Sequence, residues 1–425
     1  MGEPKLRFKA DDGSEFPAWE KKTLGDLGVF VRGLTYDKTQ TVETNGVAVM
    51  RSNNISSDGT LDYENGVQLV SKEPSEEQLL RKNDIVICMA NGSDRLVGKA
   101  AKYDGGYKEP SRITVGAFCG IFRSSAPALP WWFQSDEYQR FLYLGKQGGN
   151  GALANLKGKD IENISVMFPA DIDEQRKISD FLSAVDAVIA AQQAEVDAWE
   201  QRKKGVMQKL FSQEVRFKAD DGSDFPDWEE KTFWDVFSNL TNNTLSRECL
   251  NSKSGQARNI HYGDVLVKYG AVVDVQRDGV PFVNPDVECK RWDCLKNGDI
   301  VIADTAEDET VGKAVEISNI GSDIVYSGLH TIACRPKEEF ALGYLGNYIN
   351  SMSYHDQLRP YMQGIKVTSV SKTNIGLTHL LVPTLPEQRK ISDCLTSMDE
   401  VIQKAKDELA KWQELKKGLL QQMFV

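Results

Sequence analysis

The segment GSDRLVGKA, which begins at Gly92, has glycine and lysine residues arranged as if to bind the phosphates of a nucleotide. A phosphate-binding loop has four residues between its glycines, and a Ser or Thr after its lysine binds magnesium. Here five residues separate the glycines, and Ala100 follows Lys99. The sequence from Ala100 onward predicts a strand, whereas phosphate binding needs the N-terminus of a helix. We therefore predict no nucleotide site in this segment.

Base methylation is the second chemistry that the residue types could suggest. An enzyme that flips a base out of DNA for methylation would carry a Gly-rich cofactor loop and an Asn/Asp-Pro-Pro-aromatic tetrad. The nearest match, which begins at Asn284, has Asp286 in place of the second proline. All four histidines lie in the second half of the chain, and the seven cysteines lack the paired spacing of zinc ligands. We predict that this chain has no catalytic residue and no metal site, that it binds no cofactor of its own, and that its thiols are reduced.

The chain is internally repeated. RFKADDGSEFPAWEKKT begins at Arg7, and RFKADDGSDFPDWEEKT begins at Arg216, with fourteen of seventeen positions identical. EQRKISDFLSAVDAVI begins at Glu174, and EQRKISDCLTSMDEVI begins at Glu387. Self-similarity over such a distance is the mark of a duplicated unit. Each half therefore consists of a short leader, a variable body of about 150 residues and a repeated tail.

The two bodies share landmarks although most of their residues differ. KNDIVI at Lys82 corresponds to KNGDIVI at Lys296, and VGKA occurs once in each body. An apolar run also ends at Arg123 in one body and at Arg335 in the other. We predict that the bodies have one α+β fold and different surfaces.

Apolar residues in both tails recur with the alternating steps of four and three that form a heptad seam. The seam residues are Ile178, Leu182, Val185, Ile189, Val196 and Trp199 in the first tail, and Ile391, Leu395, Met398, Ile402, Leu409 and Trp412 in the second. Asp171 and Thr384, each followed three residues later by a glutamate, predict a capping box at each helix start. Each helix could pack on its own body alone, but two matching seams favour an antiparallel coiled coil with pseudo-two-fold symmetry.

Composition limits the class of protein. The chain has 425 residues, of which 40% are hydrophobic, enough for two ordinary cores, and no apolar run long enough for a membrane span. We expect a soluble intracellular protein. The net charge of −11 argues against bulk attraction to nucleic acid. However, residues 140–159 and 357–386, at equivalent places before each tail, contain basic residues and no acid.

The order leader, body, helix, leader, body, helix resembles the specificity (S) subunit of type I restriction–modification systems. The resemblance covers essentially the whole chain and rests also on DIVI followed by VGKA in each body, and on WEQRKKGVMQKLF and WQELKKGLLQQMF in the tails. It implies two globular target recognition domains that alternate with two long helices. The expected boundaries are 1–170 for the first recognition domain with its leader, 171–213 for the first helix, 214–383 for the second domain with its leader, and 384–425 for the second helix.

The resemblance also implies a function without catalysis. Each recognition domain would read one half of a bipartite target in double-stranded DNA, while the helices set the spacing and bind two modification subunits. S-adenosylmethionine, ATP and Mg would belong to partner subunits, which methylate adenine or, as restriction subunits, translocate and cleave DNA. The location would be the prokaryotic cytoplasm. The alternative is a coiled-coil adaptor whose two bodies bind ligands other than DNA.

Candidate DNA contacts follow from the chemistry of base edges, because Arg or Lys recognises guanine and Asn or Gln recognises adenine. We choose polar residues of the non-repeated loops as candidate readers. In the first body they are Arg51, Asn53, Asn54, Asn91, Ser93, Arg95, Lys146, Gln147, Asn150, Asn155 and Lys157. In the second body they are Arg258, Asn259, His261, Gln363, Lys366, Thr368, Ser369 and Lys372. The leaders, with Trp19 and Trp228, are expected to pack near the helix ends, or else to contact a modification subunit.

Overall fold

The computed structural model describes residues 4–56, 59–64, 66–91, 96–107, 112–147, 156–289, 292–364 and 367–424, with the backbone alone for residues 144–147. The chain divides into two compact units. The first unit combines Met1–Gln193 with Asp407–Val425, and the second consists of Ala194–Lys406. The division falls inside both long helices.

The elements up to the first long helix are short strands and helices that match the predicted α+β class. In chain order they are β1 (Glu20–Thr23), α1 (Leu24–Leu27), β2 (Gly28–Arg32), β3 (Val47–Met50), β4 (Gln68–Val70), β5 (Ile85–Cys88), β6 (Ala100–Lys102), β7 (Ile113–Val115), β8 (Cys119–Ser124), α2 (Leu129–Trp132), α3 (Asp136–Gln147), α4 (Gly158–Glu162), β9 (Ser165–Phe168) and α5 (Ile172–Phe211). The sheet orders are β2-β8-β5-β6, β4-β3-β7 and β1-β9.

The second half of the chain repeats this plan with additional strands. Its elements are β10 (Glu229–Thr232), α6 (Phe233–Val236), β11 (Phe237–Leu240), β12 (Leu250–Asn251), β13 (Arg258–Ile260), α7 (Tyr262–Val267), β14 (Val272–Asp274), β15 (Phe282–Val283), β16 (Ile300–Ala303), β17 (Thr305–Ala306), β18 (Ala314–Ser318), β19 (Val325–Ser327), β20 (Thr331–Pro336), α8 (Tyr344–Ile349), α9 (Met352–His355), β21 (Thr368–Ser369), α10 (Lys372–Ile375), β22 (His379–Val382) and α11 (Leu385–Met423). The sheet orders are β11-β20-β16-β18-β14, β12-β15-β13-β19, β17-β21 and β10-β22.

The DIVI segments form the inner strands β5 and β16. Successive side chains of a strand point to opposite faces, so an uninterrupted apolar strand can serve two cores. Ile85 and Ile87 pack in the core that includes the start of α5, whereas Val86 and Cys88 pack in the core under β3 and β7. The strand β16 divides its side chains between two cores in the same way. In each unit, therefore, one sheet separates two hydrophobic cores.

A buried ion pair joins the two landmarks of each body. The guanidinium of Arg123, at the end of the apolar strand β8, donates to Asp84, which precedes β5, at 2.6 Å. Arg335 and Asp299 repeat the contact at 2.7 Å. The two carboxylates are 3% and 2% exposed. The shared landmarks are therefore framework contacts.

Both tails are long helices, α5 of 40 residues and α11 of 39. Every residue named above for the two seams is buried or half-buried, whereas most of their neighbours are exposed. In the second unit, Lys203 pairs with Asp399 at 2.6 Å and Lys406 pairs with Glu200 at 2.6 Å. Lys203 follows Glu200 in α5, whereas its partner Asp399 precedes Lys406 in α11, so the helix segments in this unit run antiparallel.

The first unit contains the other segments of the same two helices. Lys416 Nζ lies 2.7 Å from Asp186 Oδ1. Ile178 and Leu182, near the start of α5, share a core with Leu420 and Met423, near the end of α11. These segments therefore also run antiparallel.

The capping box predicted at the start of each helix is wrong, because its glutamate side chain does not bind the cap residue. Asp171 Oδ1 does accept the backbone N–H groups of Asp173 and Glu174. The Glu174 carboxylate, however, is fully buried and accepts hydrogen bonds from Arg7 and Trp19 of the leader. In the second tail, the Thr384 hydroxyl is buried and forms no hydrogen bond with any residue that the structure describes. Each glutamate therefore joins a leader to the start of a helix.

The leaders pack near helix ends, as the sequence predicted. Trp228 and Phe217 lie in one core with Phe211, the last residue of α5. Trp19 contacts Phe424, directly after α11, with ring centroids 6.1 Å apart. The Leu6 N–H also donates to the Gln422 carbonyl at 3.0 Å. A structural role thus accounts for the aromatic residues of both leaders.

Candidate nucleic-acid interface

Three candidate segments of the first body converge at one end of its inner strands. The short 3-10 turn that holds Asn53 follows β3, and Ser52 in this turn accepts a hydrogen bond from the Asn91 side chain at 2.9 Å. The backbone N–H of Leu156, next to Lys157, donates to the Met89 carbonyl at 2.7 Å. The segments are far apart in the chain, so the sequence does not predict this convergence. It arises because β3 and β5 belong to sheets that pack against each other.

The accessible candidates in this cluster are basic or neutral. The side chains of Arg51, Asn53 and Lys157 are exposed, and that of Asn91 is half-buried. Arg51 donates to the Gly66 carbonyl at 2.9 Å, which orients its guanidinium at the surface. These groups can donate to phosphate oxygens or to base edges.

The second body carries its candidates on the same framework. The N–H of Gly328 donates to the Ile260 carbonyl at 2.9 Å, as Gly116 does to Met50 in the first body. Strand β21, which contains Thr368 and Ser369, pairs antiparallel with β17. Gln363 and Ser369 are exposed, whereas Thr368 and Lys372 are half-buried.

Four candidate readers are structural residues, which corrects the prediction for them. Asn54 is 0% exposed, because its side chain accepts the Arg51 N–H and donates to the Asp62 carbonyl. Asn259 is also fully buried and accepts a hydrogen bond from Asn243 at 2.6 Å. Because both amides are fully buried, neither is accessible to a base edge.

Arg258 and His261 are the other two candidate readers that are structural residues. The Arg258 guanidinium lies over the Phe282 ring, pairs with Asp323 and donates to a backbone carbonyl. His261 is 8% exposed and caps α7, because its Nδ1 accepts the Gly263 N–H at 3.1 Å. Burial lowers the pKa of His261 below its usual value. A neutral, buried cap is unsuited to a direct contact with DNA.

Seven further candidates cannot be placed. Ser93, Arg95, Asn150, Asn155 and Lys366 lie outside the described residues. For Lys146 and Gln147, at the end of α3, only the backbone is described.

The two acid-free stretches are not free of carboxylates in space. Lys159 pairs with Glu162 at 2.8 Å, and Arg359 lies 3.3 Å from Asp356. Helical spacing of three residues brings these acids next to the basic side chains. The Lys157 side chain is exposed and pairs with no carboxylate that the structure describes, although Asp160 accepts the backbone N–H of Lys157 at 2.8 Å. The stretch as a whole is therefore not free of acids in space, and the contact of Lys157 with DNA stays a prediction.

Sequence reasoning missed Phe118 and His330. Phe118 is 70% exposed in the turn between β7 and β8, next to the first cluster. His330 occupies the same turn between β19 and β20. A signal for them exists, since the spacing that relates Arg123 to Arg335 also relates Gly116 to Gly328 and Phe118 to His330.

The described residues contain no group of three or more His, Cys, Asp or Glu side chains arranged to bind a metal ion. All seven cysteines are free thiols. Strand β6 begins at Ala100, as predicted, so a strand rather than a helix follows VGKA. Within the described part of the chain, no helix combines the length and apolar character needed to cross a membrane.

Comparison with known proteins gives a consistent result. Residues 18–198 match the family model described as type I restriction modification DNA specificity domain. Over 96% of its length, the chain is 23% identical to the type I restriction enzyme EcoKI specificity subunit of Escherichia coli (strain K12), of which it covers 88%. It is 22% identical to the StySPI specificity subunit of Salmonella potsdam, with the same two shares covered.

Solved structures share the fold. The crystal structure of a type I restriction-modification system S subunit from M. genitalium superposes with a TM-score of 0.50 and 14% identity, covering 100% of this chain and 99% of that one. A chain from a study of complex assembly and conformational transition of the type I R-M system also has a TM-score of 0.50 and 14% identity, with 95% and 97% covered. At this identity the likeness concerns the fold alone.

Proposed function

The chain belongs to the family of type I restriction–modification specificity subunits, and from this premise we propose that each body reads one half of a bipartite target in double-stranded DNA. The observation that carries the proposal is a shared framework with different surface residues. Asp84–Arg123 and Asp299–Arg335 are equivalent contacts, whereas the turns before β8 and β20 expose different side chains, Phe118 and His330. Two readers of one fold that recognise different bases require this combination.

We further propose that α5 and α11 form one antiparallel coiled coil that sets the distance between the two half-sites. The antiparallel segments within each unit support this proposal, as does the burial of the seam residues. Helix has a fixed rise of about 1.5 Å per residue, so the length of the rod determines the spacing. Because the two tails repeat the same heptad seam, the arrangement would have a pseudo-two-fold symmetry.

In this proposal the chain is not catalytic and its partners carry the chemistry. Two modification subunits would bind the repeated parts, because two similar surfaces suit two identical partners. S-adenosylmethionine would be held by the modification subunits, and ATP and Mg by the restriction subunits. The complex would act on DNA in the prokaryotic cytoplasm. Family membership disfavours the alternative of an adaptor that binds ligands other than DNA.

The test is an exchange of the first body, residues 24–170, with that of another specificity subunit. The complex with its modification subunits would methylate plasmid DNA, and sequencing would identify the methylated sites. One half of the recognised sequence should change, while the other half and the spacer length remain. A change in both halves, or a new spacer length with unaltered helices, would contradict modular reading.

A further inference from the structure

The turn that holds Phe118 is rigid although its side chain is exposed. The Phe118 carbonyl accepts the N–H groups of Met89 at 2.8 Å and Ala90 at 3.1 Å. The flanking strands β7 and β8 enter the core, and Cys119 is 1% exposed. A large aromatic side chain is thus held in solvent by a fixed backbone, an arrangement that suits a preorganised contact.

Backbone hydrogen bonds connect the turn of this phenylalanine to the segments that carry the polar candidates. The two residues whose N–H groups bind its carbonyl lead directly to Asn91, and Met89 also binds the backbone beside Lys157. Gly116, two residues before Phe118, binds the Met50 carbonyl, directly before Arg51. Phe118 therefore lies where the three candidate segments of the first body meet.

The second body has the same turn with a different side chain. The His330 carbonyl accepts the Asp304 N–H at 3.1 Å, and the Asp304 carbonyl accepts the Val370 N–H at 2.9 Å. The His330 side chain is 47% exposed, with its Nδ1 3.4 Å from Asp304 Oδ1. Its ring also meets the Tyr262 ring edge-on, at 5.3 Å between centroids. The position is thus duplicated, but a polar aromatic ring replaces an apolar one.

Double-stranded DNA is the occupant that these surroundings favour. Around Phe118, the accessible side chains of Arg51, Asn53, Asn91 and Lys157 are donors, and two of them are cationic. An apolar protein partner would instead favour further exposed apolar side chains, and the described residues of the three candidate segments expose none. Phenylalanine among donors matches a major-groove edge, where the thymine methyl group lies between hydrogen-bonding atoms.

We propose that Phe118 and His330 are specificity-determining residues at equivalent places in the two bodies. Phe118 contacts a thymine methyl group in one half-site, and His330, oriented by Asp304, hydrogen-bonds to a base edge in the other. This inference rests on the proposed reading of DNA by both bodies. It adds which residues make the two half-sites different.

The experiment measures DNA binding by the complete complex with its modification subunits. The target duplex is the site that the wild-type complex methylates, and it is compared with a scrambled duplex and with duplexes substituted at single positions of each half. Phe118→Ala should weaken binding to the target about tenfold to hundredfold, a loss expected for a base contact. It should also relax discrimination at one or two positions of the first half-site only. His330→Ala should relax the second half-site only.

Val29→Ala is the matched control. Val29 is 57% exposed on β2, opposite Arg123 and thus at the far end of the β2–β8 pair from Phe118. Val29→Ala should leave base discrimination unchanged in both half-sites. Unchanged discrimination in Phe118→Ala, or equal weakening on target and scrambled duplexes, would overturn the inference. So would weaker assembly with the modification subunits in the absence of DNA, which would indicate a protein contact. If the wild-type complex prefers no duplex, the proposed function itself fails.

Discussion

The guanidinium of Arg216 binds the fully buried carboxylate of Glu387 at 2.8 Å, although 171 residues separate them in the chain. Trp228 donates to the same carboxylate at 3.1 Å. Arg7, Trp19 and Glu174 form an equivalent contact in the first unit. Duplicated contacts at the starts of both helices explain why the leader sequence is repeated.

We expect Arg216→Ala to lower the free energy of unfolding by about 3–5 kcal/mol, because it leaves a buried carboxylate without its cation. Arg389→Ala is the control, since Arg389 is 60% exposed and lies 3.8 Å from Glu339. It should change stability by no more than about 1 kcal/mol. Urea denaturation of the full chain measures both. Adding Glu387→Gln to Arg216→Ala should recover part of the loss; equal effects of the two arginine substitutions would contradict the role of the buried pair.

Glu316 should make stability depend on pH. It is 1% exposed on β18 and accepts the Gly346 N–H at 2.9 Å. Burial raises the pKa of Glu316 from 4.5 to about 7. The folded protein therefore keeps a proton that the unfolded chain releases, so the stabilising effect is full below pH 4.5 and is lost as the pH rises through about 7.

The resulting loss of stability is on the order of 3 kcal/mol. Urea denaturation at pH 5 and pH 8 would measure it in the wild type and in Glu316→Gln. Because glutamine does not titrate, the variant should show a smaller decrease between the two pH values. An identical decrease in both proteins would show that other groups cause the pH dependence.

The apolar seam, rather than surface ion pairs, should hold the helices together. Leu395 is 0% exposed, so Leu395→Ala should lower the free energy of unfolding by about 2–5 kcal/mol. Asp399→Ala should lower the free energy of unfolding by no more than about 1 kcal/mol, because Asp399 is 48% exposed where it pairs with Lys203. Thermal or urea denaturation would rank the two variants, and the reverse order would mean that charge pairing dominates.

Lys157 should contact a phosphate or a base. Lys157→Ala is expected to weaken DNA binding by the complex with its modification subunits. If the contact is to phosphate alone, target and scrambled duplexes should be affected alike and the salt slope should fall by about 1. Lys159→Ala is the matched control, because Glu162 already pairs with Lys159 at 2.8 Å. Binding measured at two salt concentrations would distinguish the two variants. Unchanged affinity and salt slope for Lys157→Ala would show that Lys157 only keeps the loop soluble.

The candidate site shows the limit of sequence reasoning most clearly. Residue type and loop position selected Arg51 and Lys157, which are exposed, but the same criteria also selected Asn54 and Asn259, which are buried. The sequence does not distinguish an asparagine whose side chain is buried and hydrogen-bonded from one whose side chain faces solvent. Phe118 was missed because recognition was expected only from polar residues.

The sequence by itself determined the duplication, the α+β class and the two long helices, because repeated segments and heptad periodicity are local patterns. It also revealed the landmarks that became Asp84–Arg123 and Asp299–Arg335. Only the tertiary structure decided that Glu174 binds a leader arginine instead of capping its helix, and that distant loops meet around Phe118. Such outcomes depend on which groups lose access to water when sheets and helices pack, and burial of that kind involves residues far apart in the chain.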